Sequence, residues 1–297
     1  MAIIVTGASG LLGTALAEAL EARGRAVVRL VRRPPRGPGE AFWQPAEQVV
    51  DLAPLEGAEA VVHLAGAPIA ERRWTPAYKR ELLSSRVEGT RVLVDALRGL
   101  SRPPEVLLSA SGVDFYGDTG DRWVDEEQGK GRGFLAELCE RWEGAAAGAA
   151  EAGVRTVFLR TGLVLSGRGG ALGRMLPIFR IGLGAPLGTG RQYWSWISLD
   201  DWVGAVLHLL GARELHGPVN LVSPTPVTNT EFTRELGKAM RRSTMPIPVP
   251  AFALSAGLGE FAREGLLSSH RLRPAKLLSG GYGFAHTSLD EALRAVL

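Results

Sequence analysis

Short apolar runs alternate with stretches in which apolar residues recur every three to four positions, and this alternation fills the first half of the chain. Ala2 to Thr6 is one run, after which Leu11, Leu12, Ala15, Leu16, Ala19 and Leu20 share a helical face, and Ala26 to Val31 is a second run. Residues 34 to 58 are irregular and Pro-rich, with a short third strand expected between Phe42 and Asp51. Ala60 to Leu64 is a fourth strand, followed by a helix over about 75 to 99 that carries Leu83, Val87, Thr90, Val94 and Leu97. Val106 to Ser109 and Val154 to Arg160 are the fifth and sixth strands, separated by a helix near 132 to 152 with Leu135, Leu138, Trp142, Ala145 and Ala149 on one face. Apolar runs without internal alternation suit strands covered on both faces, and their interleaving with helices predicts right-handed βαβ units and a parallel sheet.

Beyond Thr161-Gly162 the pattern changes. Residues 166 to 198 are Gly-rich with scattered aromatics; Asp200 to Leu210 reads as a helix, Val219 to Val222 as a short strand, and about 229 to 241 as another helix. A Pro-rich hinge, Met245 to Pro250, leads to apolar helical patterns over 251 to 267 and 287 to 297. The expected fold class is α/β: a Rossmann-like doubly wound parallel sheet with a smaller, mostly helical C-terminal substrate lobe. Residues 1–165 with 199–223 form the dinucleotide-binding domain in this reading, and 166–198 with 224–297 form the substrate lobe and C-terminal appendage. Ligands of such sheets bind outside the carboxyl ends of the strands, which directs attention to the crevice between the lobes.

Composition narrows the partners. The chain is 45% hydrophobic and 22% charged, with a net charge of +3, and its arginines are scattered with no basic block. That argues against nucleic acid or a membrane surface as partner and leaves a small-molecule substrate, with a homodimer open. A single cysteine, Cys139, excludes an internal disulfide and a thiolate-cluster zinc site, and His208, His216, His270 and His286 show no metal-ligand spacing. The opening segment lacks a basic leader, and no other run approaches the roughly 20 apolar residues of a membrane span, so a cytoplasmic location is expected.

Chemistry enters at the end of the first strand, where Thr6-Gly7-Ala8-Ser9-Gly10-Leu11-Leu12-Gly13 joins strand to helix. Gly7 permits the tight turn, Gly10 lets backbone approach a phosphate, and Gly13 lets the helix pack on the strand. The amides at the helix start, with roughly half a positive charge, then face a bound pyrophosphate. Strand two ends Leu30-Val31-Arg32-Arg33, where a site selective for NAD places an acid on the ribose 2′-hydroxyl; no Asp or Glu occurs before Glu40. Arg32 and Arg33 can instead pair with a 2′-phosphate, so NADP is the expected cofactor.

Further motifs are His63-Leu64-Ala65-Gly66, Val87-Glu88-Gly89-Thr90, Ser109-Ala110-Ser111, Tyr116-Gly117 and Trp196-Ile197-Ser198-Leu199-Asp200-Asp201. With these the chain resembles the extended short-chain dehydrogenase/reductases, the NAD(P)-dependent epimerases and dehydratases, along nearly its whole length. Arg73-Trp74-Thr75, Ser85-Arg86, Trp142-Glu143, Gly169-Gly170-Ala171-Leu172 and Pro226-Val227-Thr228-Asn229 resemble the epimerase-like branch with a helical C-terminal appendage. The resemblance implies cofactor contacts from Gly7, Ser9, Gly10, Leu11, Leu12 and Gly13, and from His63, Leu64, Ala65, Gly66, Arg86 and Ser109. His63 also reads as a satisfied structural histidine, and Arg86 as a ligand for a cofactor phosphate or a substrate anion.

The resemblance fails at the catalytic pair. Family enzymes carry Tyr and Lys four apart on one helix, the phenol exchanging a proton and the ammonium lowering its pKa. Counting back from Glu143, those positions are Leu135 and Cys139, and no Tyr-x-x-x-Lys occurs in the chain. Trp194 stands where sugar-nucleotide enzymes often carry an arginine for a diphosphate, and Arg86 where they carry asparagine. Ser111, at the family serine position, and Tyr116, the nearest phenol, are the candidate catalytic residues. Tyr193, Trp194 and Trp196 either line an apolar pocket or pack between the lobes, and Asp200 and Asp201 are expected to cap a helix. Two functions follow: an NADP-dependent oxidoreductase or epimerase-like enzyme on a small carbonyl or hydroxyl substrate, or a non-catalytic NADP-binding sensor acting through a partner.

Overall fold

The computed structural model describes residues 1–297. In chain order the elements are β1 (Ala2–Thr6), α1 (Leu11–Glu21), β2 (Ala26–Val31), β3 (Glu40–Gln44), β4 (Val49–Val50), β5 (Ala60–His63), α2 (Pro76–Arg98), β6 (Val106–Gly112), α3 (Phe134–Ala147) and β7 (Arg155–Thr161). There follow β8 (Leu163–Leu165), α4 (Gly170–Arg180), β9 (Tyr193–Trp194), β10 (Trp196–Ser198), α5 (Leu199–Gly211), β11 (Gly217–Leu221), β12 (Val227–Thr228), α6 (Asn229–Ala239), α7 (Ala251–Leu258), α8 (Ala275–Ser279) and α9 (Leu289–Val296). No helix is long and apolar enough to cross a membrane.

Eight strands form the main sheet in the order β11-β7-β6-β5-β1-β2-β3-β4, parallel except for the β3–β4 edge pair. The chain winds outward from β1 through β2 and then crosses to β5 on its other side, so the strand order reverses at β1. Successive side chains in a strand point to opposite faces, and both faces here are covered. Ile3, Val5 and Val62 pack with Leu16 and Leu20 of α1 and Trp202, Val206 and Leu209 of α5. Ile4, Val61 and Leu107, one position out of step, pack with Leu93, Val94 and Leu97 of α2 and Ala146 of α3. A separate core joins α4, α6 and α9 through Leu172, Leu176, Phe232, Leu236, Leu289 and Leu293.

The α/β alternation appears as expected, with differences that have local causes. The third strand, at Glu40–Gln44, begins two residues before the expected window and overlaps it at Phe42–Gln44, and Val49–Val50, inside the window, returns antiparallel to it. β6 runs on to Gly112, three residues past Ser109, because β7 pairs with it as far as Gly112↔Thr161. The helical pattern over 251 to 267 is broken: α7 stops at Leu258, Gly259 turns with φ +67, and Ala262–Leu266 forms a single π turn. Within the Gly-rich stretch lies α4, a helix the sequence reading did not contain.

A buried polar chain ties the elements whose ends will form the site. Thr6 Oγ1 accepts from the amides of Leu64 (3.1 Å) and Ala65 (3.2 Å), so its proton goes to His63 Nδ1 at 2.7 Å. His63 then carries its own proton on Nε2 and donates it to Thr90 Oγ1 (3.0 Å). Trp142 Nε1 also donates to that oxygen (3.0 Å), and the Thr90 hydroxyl donates to the carbonyl of Arg86 (2.5 Å). β1, β5, α2 and α3 are thereby joined through two threonines and one neutral imidazole. His63 is 0% exposed, and burial pushes its pKa down to about 4.

Folding therefore excludes a proton that the unfolded chain binds below the ordinary histidine value of 6.5. Stability is expected to fall as pH drops through that value, by up to about 3 kcal/mol from His63 at acid pH. The midpoint of urea unfolding measures this. His270, whose pKa burial also lowers, adds to the slope. His63→Gln should lower stability at neutral pH yet flatten the His63 share of the acid slope; an unchanged slope would contradict the neutral, buried assignment.

Candidate functional site

A cleft of about 440 Å³ opens at the carboxyl ends of β1, β5, β6 and β7, beside the point where strand order reverses. One wall is the β1–α1 turn. Gly7 has φ +66, and a Cβ there would lie 2.8 Å from the carbonyl carbon of Leu64. A Cβ on Gly13 would lie 2.4 Å from the Gly7 oxygen, so α1 can approach its own strand this closely only with glycine. Gly10 differs: nothing stands within 3.4 Å of its missing Cβ, which leaves that space to the cleft. Gly10 is also the N-cap of α1, with no side chain capping the helix and no acid in its first turn. Leu11, Leu12 and Gly13 line the cleft with Gly7 and Gly10, so the free amides of the helix start meet it without a protein partner. A pyrophosphate, anionic and rich in acceptors, fits this turn.

The remaining cofactor candidates separate. Leu64 and Arg86 line the cleft. Ser9 is exposed on the turn. Gly66 packs over Arg86, where a Cβ would sit 3.1 Å from its Cζ, and Ala65 is held through its amide by Thr6. Two expectations need correction on placement. His63 does not reach the cleft; both ring nitrogens are spent on threonines behind it. Ser109 is 1% exposed, away from the cleft, and its hydroxyl has no partner. The arginines after β2 also part company. Arg33 grips Glu40 through two hydrogen bonds of 2.8 and 2.5 Å, and the Arg36 amide adds a third, holding the Glu40 carboxyl down at about 2. Arg32 is exposed and makes no ion pair.

Arg86 is unusual in its setting. It is 6% exposed, lies over the Trp142 ring at 4.9 Å, and donates from Nη1 to the carbonyl of Leu82 (3.3 Å). Its Nε has no partner, no carboxylate pairs with it, and burial lowers its pKa. A buried cation without a counter-ion is costly unless something anionic visits it.

Of the two catalytic candidates, Ser111 lines the cleft and Tyr116 does not. The Ser111 hydroxyl donates to Glu143 Oε1 (2.7 Å), and Glu143 receives Arg160 on both oxygens at 2.8 Å. Arg160 continues to the Tyr116 oxygen (2.9 Å), and Tyr116 donates to Asn220 Oδ1 (2.8 Å). Tyr116 is 3% exposed, and burial pushes its pKa up to about 12. This corrects the expectation that Tyr116 supplies protons to the cleft. The reason is the 3-10 turn Val113–Tyr116: residues three apart eclipse, so Val113 and Tyr116 are buried together in one cluster. Asp114, between them, lines the cleft; the sequence reading did not single it out, although an acid between Ser111 and Tyr116 was a visible signal.

The far wall is α3, whose Leu135, Leu138, Cys139 and Trp142 face the cleft. Cys139 is buried, and burial pushes its thiol up to about 12. No side chain of α3 itself caps this helix. Glu264, in the π turn, accepts from the amides of Phe134 (3.0 Å) and Leu135 (2.8 Å), an acid placed where the helix dipole favours it. The aromatic stretch packs between elements and does not line the cleft: Trp194 lies against Phe232 at 5.1 Å, Trp196 is 0% exposed, and Tyr193 lies under Arg271. Ser198 is the cap of α5, in place of the expected aspartates: its oxygen accepts from the Asp201 amide (3.0 Å), while the Asp201 carboxylate accepts from the Ser198 hydroxyl (2.9 Å) and from the amides of Ala285 (2.7 Å) and His286 (2.9 Å), and Asp200 is exposed. No group of three or more His, Cys, Asp or Glu is placed to hold a metal ion.

Comparison with known proteins agrees with this geometry. Residues 3–222 match the NAD dependent epimerase/dehydratase family, and residues 249–296 match a domain of unknown function, DUF1731. An epimerase family protein of Mycobacterium bovis is 47% identical over 291 residues, covering 98% of this chain and 96% of its own. The human epimerase family protein SDR39U1, crystallised with NADPH, is 35% identical, with a TM-score of 0.91 over 100% of this chain and 99% of its own. A nucleoside-diphosphate sugar epimerase from Corynebacterium glutamicum is 34% identical with a TM-score of 0.82, covering 100% of this chain and 58% of its own. The chain belongs to the NAD dependent epimerase/dehydratase family, as an extended short-chain dehydrogenase/reductase with a DUF1731 domain at its C-terminal end.

Proposed function

We propose that this protein is an NADP-dependent oxidoreductase or epimerase-like enzyme acting on a small carbonyl or hydroxyl compound. The observation that carries the reading is the α1 start, whose uncapped amides, free of acids, face a cleft that Gly10 leaves open. Gly7, Gly10, Leu11, Leu12 and Gly13 would hold the pyrophosphate, and Arg32, with no competing carboxylate, would pair with a 2′-phosphate. The NADPH bound by the human relative supports that choice. NADP, when bound, would supply or accept a hydride.

The chain's own groups shape the rest. Leu64, Ile69, Leu135, Leu138 and Leu163 make most of the lining apolar, which favours a compact substrate and excludes water. Ser111 spends its proton on Glu143, so toward the cleft it offers lone pairs and accepts from a substrate hydroxyl. The second lobe, residues 166–198 with 224–297, contributes Gly170 and Ala171 at the start of α4 and closes the cleft from above α1. A second reading, an NADP-binding sensor without turnover, draws on Leu135 and Cys139 at the positions of the missing phenol and ammonium.

Calorimetric titration should show NADPH binding more tightly than NADH. Arg32→Glu should weaken NADPH by about 10- to 100-fold, as loss of a charge-assisted hydrogen bond of roughly 1.5 to 3 kcal/mol requires, and leave NADH nearly unchanged. Equal loss for both cofactors would remove Arg32 from the 2′-phosphate. Gly10→Asp should abolish binding of both, because it sets a carboxylate where the pyrophosphate lies, while thermal unfolding shifts little. A carbonyl screen following NADPH absorbance separates the two readings: turnover supports the enzyme, and tight NADPH binding with no turnover across the panel supports the sensor.

A further inference from the structure

Of the side chains already placed in or near the cleft, none is suited to move a proton. Tyr116 is committed to Arg160 and Asn220 outside it, Ser111 donates to Glu143, Leu135 is apolar, and the Cys139 thiol is pushed up to about 12 by burial. One acid does face it. Asp114 follows β6 on the 3-10 turn, and its Oδ2 lies 3.1 Å from where a Cβ on Gly112 would stand; Cys139 Sγ lies 3.5 Å from the same point. The Asp114 carboxyl is half-buried and has no ion-pair partner. Arg86 enters the cleft from α2, equally without a counter-ion and with its Nε unpartnered. Both groups line the same cleft.

We propose that Asp114 is the proton-transfer group of this cleft and Arg86 the fixed cation in the same lining, together taking over from the phenol and ammonium whose helix positions are Leu135 and Cys139. This rests on the NADP reading above. With NADPH as hydride source, a substrate carbonyl gains hydride at carbon, its π pair moves to oxygen, and that oxygen takes the Asp114 proton. The carboxylate left behind is stabilised by Arg86 until water returns a proton; in oxidation the carboxylate takes the hydroxyl proton instead. Burial raises the pKa of Asp114, which keeps the proton available, and His270, a backbone hydrogen bond and Arg86, in that order, limit the rise so that it can be released. The other titratable groups facing Asp114 are Cys139 from α3 and His270 from the C-terminal segment, and burial favours the neutral form of both. Arg86 is then the permanent charge that acts on the acid, joined by His270 wherever that imidazole is protonated. The substrate class that fits is a small, largely apolar carbonyl or alcohol.

The test is infrared difference spectroscopy of the full chain against Asp114→Asn between about pH 4 and pH 8, with NADPH affinity measured by fluorescence on each variant. A protonated-carboxyl band should persist above the pH at which the exposed carboxylates titrate, vanish in Asp114→Asn, and titrate higher still in Arg86→Gln. Asp114→Asn should keep its NADPH affinity, and NADPH-dependent reduction of benzil should fall by about 100-fold, with partial recovery in Asp114→Glu. A band that titrates with the exposed carboxylates, or that ignores Arg86→Gln, overturns the proposal while NADPH binding keeps the broader reading. Absence of NADPH binding in the wild-type chain overturns both.

Discussion

The Thr90 hydroxyl is the point at which the walls of the cleft are joined. Its oxygen receives protons from His63 and Trp142, and its own proton goes to the Arg86 carbonyl, so a single side chain meets β5, α3 and α2. His63 passes the linkage to Thr6, and Thr6 holds the loop after β5 by two amides. Each donor has one acceptor and each proton one destination, which is the condition under which buried polar groups cost nothing. The Gly7 turn and the Leu64 loop, which meet at less than the width of a methyl group, depend on this register between β1 and β5.

A second buried system works beside the first and stays apart from it. The Arg160–Glu143 pair, with side chains 4% and 9% exposed, is satisfied on both carboxylate oxygens, and Arg160 lies over the Phe115 ring at 3.5 Å. Such a pair repays its desolvation only when every remaining donor is used. Tyr116 and Ser111 are two of the groups that complete it. The Tyr116 hydroxyl is therefore part of the interior, the Ser111 oxygen keeps only its lone pairs for the cleft, and the other polar groups left for a ligand there are Arg86, Asp114 and the amides of α1.

How far the sequence revealed this depends on the range of the interaction involved. The glycine turn was legible because its constraint acts within one strand, one turn and one helix start. The sheet was legible because apolar runs and helical faces alternate. α4 was not: Gly169 and Gly170 at its start and Pro177 inside it hide the spacing of Leu172, Met175, Leu176 and Phe179, and that helix is held by a core shared with α6 and α9. Arg33 could not be told from Arg32, because its partner Glu40 is brought up by the pairing of β2 with β3. Tyr116 was expected in the cleft and Asp114 was not singled out, because a 3-10 turn, which leaves no periodic signature over four residues, decides which of them turns inward.

The carboxylate of Glu264 adds a constraint in time. It closes the start of α3 from 130 residues away in the chain, and α3 carries Leu135, Leu138, Cys139 and Trp142. During synthesis the parallel sheet up to β7 can assemble while the C-terminal segment is still inside the ribosome, but two amides of α3 then have only water to meet. The wall of the cleft becomes final only after the segment that carries Glu264 emerges and docks, so a nascent chain holds most of its sheet before it holds a finished pocket.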